Sequence, residues 1–262
     1  MKGFLIFSAL ICFGLGFVLA EKPLKQEKLE FEGVKYRVVK VPAKRLRLAW
    51  KGADGKPMRS FDLVQKHYSG QKRKVVFMAN AGIFEPGGIP SGLHVQGGKL
   101  LRPLNLKPGK GNFFLKPNGV FAVHLGQAEI MPSSQYSAYV RRHKKGPHAY
   151  PIRLALQSGP LLLHQGNIHP AFNRGSKSRL HRNGVGVDRQ GRVVFAITEF
   201  HAGREGEVNL HGLARFFLHL GCQNALFLDG DLSQMVVNPK EKTESNLFGA
   251  MLVVTEPVVL GE

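Results

Sequence analysis

The stretch Asn224-Ala225-Leu226-Phe227-Leu228-Asp229-Gly230-Asp231-Leu232-Ser233 limits what this chain can fold into more than any other. Ala225 to Leu228 is a short apolar run that suits a strand buried on both faces. Asp229 follows at once, then Gly230, which admits positive φ and close backbone approach. The pattern is a rigid strand that delivers one acid to the end of a sheet. Upstream, Leu210, Leu213, Phe216, Phe217 and Leu220 recur at helical spacing. Asn209 suits the N-cap of that helix and Gly221 its C′ position. The local unit is therefore helix, tight turn, buried strand, acid. From this stretch alone, Asp229 reads equally as a turn or capping residue.

Two further runs repeat the logic. Residues 75–79 are apolar and end in Asn80-Ala81-Gly82. Residues 154–156 are apolar and end in Gln157-Ser158-Gly159. Small residues after each run let a ligand approach the backbone closely, and strand ends are where sites are usually built. If the three strands are neighbours, two amides and a carboxylate converge. Arg182 and Glu199 stand at opposite ends of an expected hairpin that turns at Asp188-Arg189-Gln190-Gly191. They would join the group, with the guanidinium clamping an anionic substrate and the acid doing the chemistry.

The rest of the chain reads as β-rich. Val34, Tyr36 and Val38 alternate as one face of a strand, and 22–28 reads as a polar, flexible lead-in. Residues 60–68 suit a short helix. A hairpin is expected over 93–101, strands at 120–123 and 161–163, a short strand at 235–237 and a last strand at 248–254. Residues 132–151 read as the least regular part. Arg141, Arg142, Lys144 and Lys145 cluster there, interleaved with Tyr136, Tyr139 and Tyr150. That run reads as a solvated loop, with a stacking surface for sugars or bases as its alternative. No zinc or phosphate-loop spacing is present. His164, His169, His201, His211 and His219 are scattered and read as surface or internally bonded histidines. No metal and no cofactor are called for, although the oxygen-rich loops would also suit a calcium ion.

Residues 1–20 read as a secretory leader: Lys2, then an apolar stretch to Ala20, then the charged Glu21-Lys22. Cleavage after Ala20 leaves no stable membrane span and places the chain outside the cytoplasm, periplasmic or extracellular. Residues 21–262 are then long enough for one domain with ample core. Cys222 is the one cysteine beyond the leader, so no internal disulfide is possible and the thiol reads as a small buried hydrophobe. The formal charge of +19, to which the leader contributes only Lys2, attracts polyanions. Nucleic acid as a partner rests on charge alone, which gives only non-specific affinity.

Four motifs in order, Asn80-Ala81-Gly82-Ile83-Phe84, Gln157-Ser158-Gly159-Pro160, Arg182-Asn183-Gly184-Val185-Gly186-Val187 and Asn224 through Gly230, resemble the phosphodiester glycosidase family. The resemblance runs over 75–237 and is nearest to a short, single-domain bacterial branch. It implies an α+β fold: a mixed, largely antiparallel β-sheet domain with flanking helices. It implies removal of a sugar from a sugar-1-phosphate diester by C1–O cleavage, with a phosphate-bearing glycan as substrate. By position, the family's active-site Asn, Arg and Asp fall on Asn80, Arg182 and Asp229. In this reading Asp229 is nucleophile or general base and Glu199 its partner. Arg182 holds phosphate, helped by His181. Asn80, Gln157, Asn183 and Ser233 bind substrate. The chain departs from the family's Asp-Gly-Gly pattern at Asp231-Leu232, which narrows the loop and adds negative charge near a phosphate. That departure supports a second reading, a non-catalytic basic protein that binds anionic glycopolymer.

Overall fold

The computed structural model describes residues 22–144, 152–199, 206–240 and 242–258. The expected leader, Tyr150 and His201 lie outside the described residues. Three sheets carry the fold. The first has seven strands in the order β1 (Gln26–Phe31), β2 (Val34–Val41), β15 (Val193–Thr198), β14 (Asn183–Asp188), β16 (Cys222–Asp229), β12 (Leu161–His164) and β13 (Asn167–Ile168). The second has five: β10 (Gln127–Pro132), β9 (Gly119–His124), β11 (Leu154–Ser158), β7 (His94–Gln96) and β8 (Lys99–Arg102). The third has four: β17 (Met235–Val237), β4 (Arg73–Asn80), β18 (Met251–Pro257) and β3 (Leu46–Ala49). A small hairpin pairs β5 (Phe84–Glu85) with β6 (Ile89–Pro90). The helices are short: α1 (Phe61–Ser69), α2 (Tyr136–Lys144) and α3 (Leu210–His219).

The three sheets share one apolar interior. Val39, Phe195, Leu226 and Leu228 from the seven-stranded sheet meet Phe77, Ala79, Leu252 and Val254 from the four-stranded one. Phe121, Val123, Leu154 and Leu156 close it from the five-stranded sheet. Each sheet then carries one helix on its other face. Leu213, Phe216 and Phe217 of α3 cover Tyr36, Val194, Ala225 and Phe227. Phe61, Val64 and Tyr68 of α1 cover Val75, Met78 and Val253. Tyr136 and Tyr139 of α2 cover Val120, Ala122 and Ala155. The 225–228 run divides between two of these clusters in strict alternation, as the two-residue period of a strand requires. Burying each Leu or Phe side chain contributes about 1.5–3 kcal/mol.

Several expectations change. The sheets are not mixed: every strand pairing among the described residues is antiparallel, and helical content is low. The lead-in is ordered from Gln26, because β1 pairs along its whole length with β2. The run expected to be least regular contains α2, and its Tyr136 and Tyr139 are buried. These two tyrosines serve the core, so they offer no stacking surface. The helix expected over 209–220 forms as α3, with Asn209 Oδ1 accepting from Gly212 N at 2.8 Å and Gly221 beyond it at φ +82°. No helix among the described residues is long and apolar enough to cross a membrane.

Candidate functional site

The last residues of β4, β11 and β16 come from three different sheets and meet at one end of the shared core. Asn80 Nδ2 donates to Asp229 Oδ2 at 3.1 Å. Ser158 Oγ donates to the Leu228 carbonyl at 3.3 Å and accepts from Ile83 N at 3.4 Å. Asn183, the first residue of β14, lies opposite Asp229 in register. Its Nδ2 donates to Asn80 Oδ1 at 2.9 Å. Gln234 N donates to the same oxygen at 2.9 Å. Asn80 is 1% exposed, so its amide is a fixed bracket: oxygen toward Asn183 and Gln234, nitrogen toward the acid.

Asp229 is half-buried. Its Oδ1 accepts from Gly230 N at 2.8 Å. Burial pushes its carboxyl up to about 6, against the opposing pull of the Gly230 and Asn80 donors and with a small contribution from the charge of Asp231. A carboxyl poised near neutrality is what acid–base chemistry selects.

Arg182 is 2% exposed. Its Nε donates to the Val208 carbonyl at 2.7 Å and Nη2 to the Ser178 carbonyl at 3.2 Å. The guanidinium lies over the Phe227 ring, 5.4 Å from the centroid. Nη1 is buried and has no partner among the described residues. Burial pulls the Arg182 pKa down, and Asp231 opposes this.

The neighbouring His181 ties two elements together. Its Nε2 faces the Ser233 carbonyl at 3.1 Å, which requires a proton on Nε2. Its Nδ1 lies 2.7 Å from Thr198 Oγ1 and, in the neutral ring, accepts from that hydroxyl. Burial lowers its pKa, consistent with the neutral form. The bridge holds the loop after Asp229 against the end of β15. Ser233, 3% exposed, closes that loop through its N–H to the Gly230 carbonyl at 2.9 Å. Its Oγ has no partner among the described residues, and neither does Asn183 Oδ1. Asp231 and Leu232 are exposed at the rim.

The structure thus brings Asn80, Asn183 and Asp229 into one network, with Ser233 and Arg182 on the flanking segments. Two expected members stand apart from it. Gln157 Oε1 accepts from Leu93 N at 3.1 Å and Asn105 N at 2.9 Å, while Nε2 donates to the Asn105 carbonyl at 2.7 Å. Its amide is spent fixing the 93–105 segment onto β11. Glu199 follows β15 and pairs with Lys28 Nζ at 3.1 Å; no hydrogen bond joins its side chain to Asp229. Gly159 admits Asn118 rather than a ligand, since a Cβ there would lie 2.6 Å from Asn118 Cβ. Gly184 and Gly186 make room for Phe217 of α3, whose ring atoms would meet added Cβ atoms at 2.9 and 2.8 Å. The glycines of this motif therefore serve helix packing.

Sequence reading missed Arg37. It sits on β2 opposite Ile197, on the face that also carries Val39 and Val41 toward the shared core. Nη1 donates to the Met235 carbonyl at 3.3 Å. Burial lowers its pKa while the charge of Glu199 raises it. An arginine on the inward face of a strand was the available signal. No group of three His, Cys, Asp or Glu among the described residues is arranged to hold a metal ion.

A sequence profile of the phosphodiester glycosidase family matches residues 73–255. The chain is 29% identical over 192 residues to the uncharacterized protein YigE of Escherichia coli (strain K12), covering 73% of this chain and 69% of that protein. Its fold is similar to the catalytic domain of zebrafish N-acetylglucosamine-1-phosphodiester alpha-N-acetylglucosaminidase, solved in a form auto-inhibited by its pro-peptide. That match has a TM-score of 0.60 at 16% identity, over 89% of this chain and 82% of that one. A hypothetical protein from Synechocystis matches with a TM-score of 0.52 at 15% identity, over 88% of this chain and 61% of that one.

Proposed function

The chain belongs to the phosphodiester glycosidase family, and from that premise we propose that it removes a sugar from a sugar-1-phosphate diester by cleaving the C1–O bond. One observation carries the reading. The Asp229 carboxyl is poised near neutrality, and three buried polar atoms without partners among the described residues lie on the segments next to it in the fold: Asn183 Oδ1 opposite it in register, Arg182 Nη1 one residue earlier, and Ser233 Oγ in the loop that follows it. Leaving such atoms unpaired costs about 1–3 kcal/mol each. A bound substrate removes that cost by supplying phosphate oxygens to the donors and a sugar hydroxyl to the Asn183 oxygen.

In this mechanism Asp229 acts in its ionised form, as nucleophile at C1 or as base toward water. Asn80 fixes its orientation. The leaving group is a phosphate monoester, stable as an anion, and needs little protonation. Arg182 holds that phosphate, and its buried guanidinium is backed by Val208 and Ser178 so that Nη1 stays free for the ligand. Glu199 is the proposed second carboxyl, and to serve it must leave its pair with Lys28. Two carboxyls about 5–5.5 Å apart around the bound sugar give retention, and about 6.5–9.5 Å gives inversion. The leader-like residues 1–20 and the charge of +19 support an exported protein acting on phosphate-bearing glycans.

Asp231 and Leu232 favour the second reading, a binder of anionic glycopolymer. The products formed from UDP-N-acetylglucosamine separate the two. Free sugar plus intact UDP supports C1–O cleavage. Sugar 1-phosphate plus UMP means attack at phosphorus and refutes the mechanism. No turnover of any diester, with retained polymer binding, favours the binder.

A further inference from the structure

Behind Arg182 lies a cavity of about 130 Å³. Val208 is the wall between them: it lines the cavity, and its carbonyl accepts from Arg182 Nε at 2.7 Å. The cavity is framed by Tyr36 of β2, by Arg174 and Arg179 of the segment between β13 and β14, and by His211 and Arg215 of α3. Among the described residues Glu32 is the one acid lining it, and it is already paired with Arg215 at 2.6 Å. Arg179 Nη2 donates to the Glu207 carbonyl at 3.1 Å. Among the described residues, the Arg174 guanidinium has neither an ion pair nor a hydrogen bond. The loop that carries it is nevertheless fixed, because the N-cap Asn209 donates from Nδ2 to the Arg174 and Ser176 carbonyls, each at 3.1 Å. Three guanidiniums thus face one carboxylate around a space of about four water volumes, taking about 30 Å³ for each. Such a space suits a tetrahedral oxyanion, which guanidinium groups bind through paired N–H donors.

A wider cavity of about 570 Å³ shares Phe31, Arg174, His211 and Arg215 with the first. The rings of Phe31 and His219 lie 4.8 Å apart on its wall, and Ile168 and Leu218 complete its apolar lining. A cationic cavity opening onto an apolar and aromatic one is the chemistry of a phosphate with a sugar attached.

We propose that this pair of cavities is a second phosphate subsite, which holds a phosphate of the glycan other than the one released at Asp229, with the adjacent sugar on Phe31 and His219. The assignment rests on the glycosidase reading and sharpens it. The substrate is a chain bearing several phosphates, and the enzyme grips it at two of them.

The test uses Arg174→Ala/Arg179→Ala, two exposed positions, with unchanged melting as the control for folding. Inorganic pyrophosphate is titrated calorimetrically at low salt into the wild type, this double variant and Arg182→Lys. The double variant is expected to weaken one binding event by about tenfold or more, as loss of charged donors implies, while Arg182→Lys retains that event. The double variant should also lose about tenfold in kcat/KM on a glycan with two or more phosphates and keep the wild-type value on a single-phosphate diester. Unchanged pyrophosphate binding in the double variant overturns the subsite. Binding lost in the double variant, together with no turnover of any diester by the wild type, supports the anion site and refutes the glycosidase reading alone.

Discussion

Replacing Asp229 by asparagine should make the protein more stable at neutral pH while abolishing its activity, and the gain should grow with pH. The folded carboxyl titrates at about 6 against an ordinary 3.8. A raised carboxyl pKa means that the folded state binds the proton more tightly than the unfolded state. Ionisation therefore costs stability as pH climbs through this window. At 1.36 kcal/mol per tenfold change in proton affinity, the cost is about 1 kcal/mol at pH 4.5 and about 3 kcal/mol at pH 8. Asparagine never ionises and escapes the cost. It does turn an amide N–H₂ toward one of the donors that Asp229 now accepts, Asn80 Nδ2 or Gly230 N, which costs about 1–2 kcal/mol at every pH. The variant should thus be near parity with the wild type at pH 4.5 and ahead by about 1–2 kcal/mol at pH 8. The change between the two pH values, about 2 kcal/mol, is independent of the hydrogen-bond penalty. For a chain of this size it corresponds to a relative shift of about 4–8 °C in Tm. Paired melting curves at the two pH values measure it directly. Turnover should fall by roughly a thousandfold or more, as on removal of a member of a catalytic unit. A difference in stability that stays flat with pH would refute the claim that Asp229 is held against its solvation. Retained turnover per folded molecule would refute its role in the chemistry.

Arg182→Lys should weaken substrate binding by about 1–3 kcal/mol despite keeping the charge, because one ammonium nitrogen cannot stand in place of Nε at Val208, Nη2 at Ser178 and Nη1 at the ligand together; equal kcat/KM in both proteins would reduce Arg182 to a structural charge. Gly186→Ala should destabilise by about 1–3 kcal/mol through overpacking, since its Cβ would lie 2.7 Å from Cys222 Sγ and 2.8 Å from Phe217; a melting curve matching wild type would mean that α3 shifts freely on the sheet. Binding of an anionic polymer should fall steeply with ionic strength, whereas cleavage of a small diester should fall less, and identical salt dependence would argue against an enclosed site. Secreted protein should begin at Glu21, and an intact mass that includes Met1 would remove the leader.

The sequence by itself determined the strands that carry polar residues to one end of the molecule, and the α3–β16 unit nearly residue by residue. Those features are local: two-residue alternation, helical spacing, an asparagine cap and a glycine stop act over a few neighbours and leave their mark on the chain. The convergence of Asn80 and Asp229 was also legible as a pattern, because each ends an apolar run at a small residue. Tertiary structure alone decided which of the similar-looking residues point into the site. Asn80 and Gln157 each follow an apolar run and precede a small residue and a glycine, yet Asn80 brackets the acid while Gln157 is consumed by Leu93 and Asn105. That choice depends on a segment some fifty residues or more away, which no window along the chain contains. For the same reason the glycines of β14 serve the Phe217 ring, the tyrosines of α2 belong to the core, Arg37 enters the site's electrostatics unannounced, and His181, expected to help hold phosphate, bridges Thr198 and Ser233. Period and composition fix what a segment is, and the packing of three sheets on one core fixes what each polar side chain can reach.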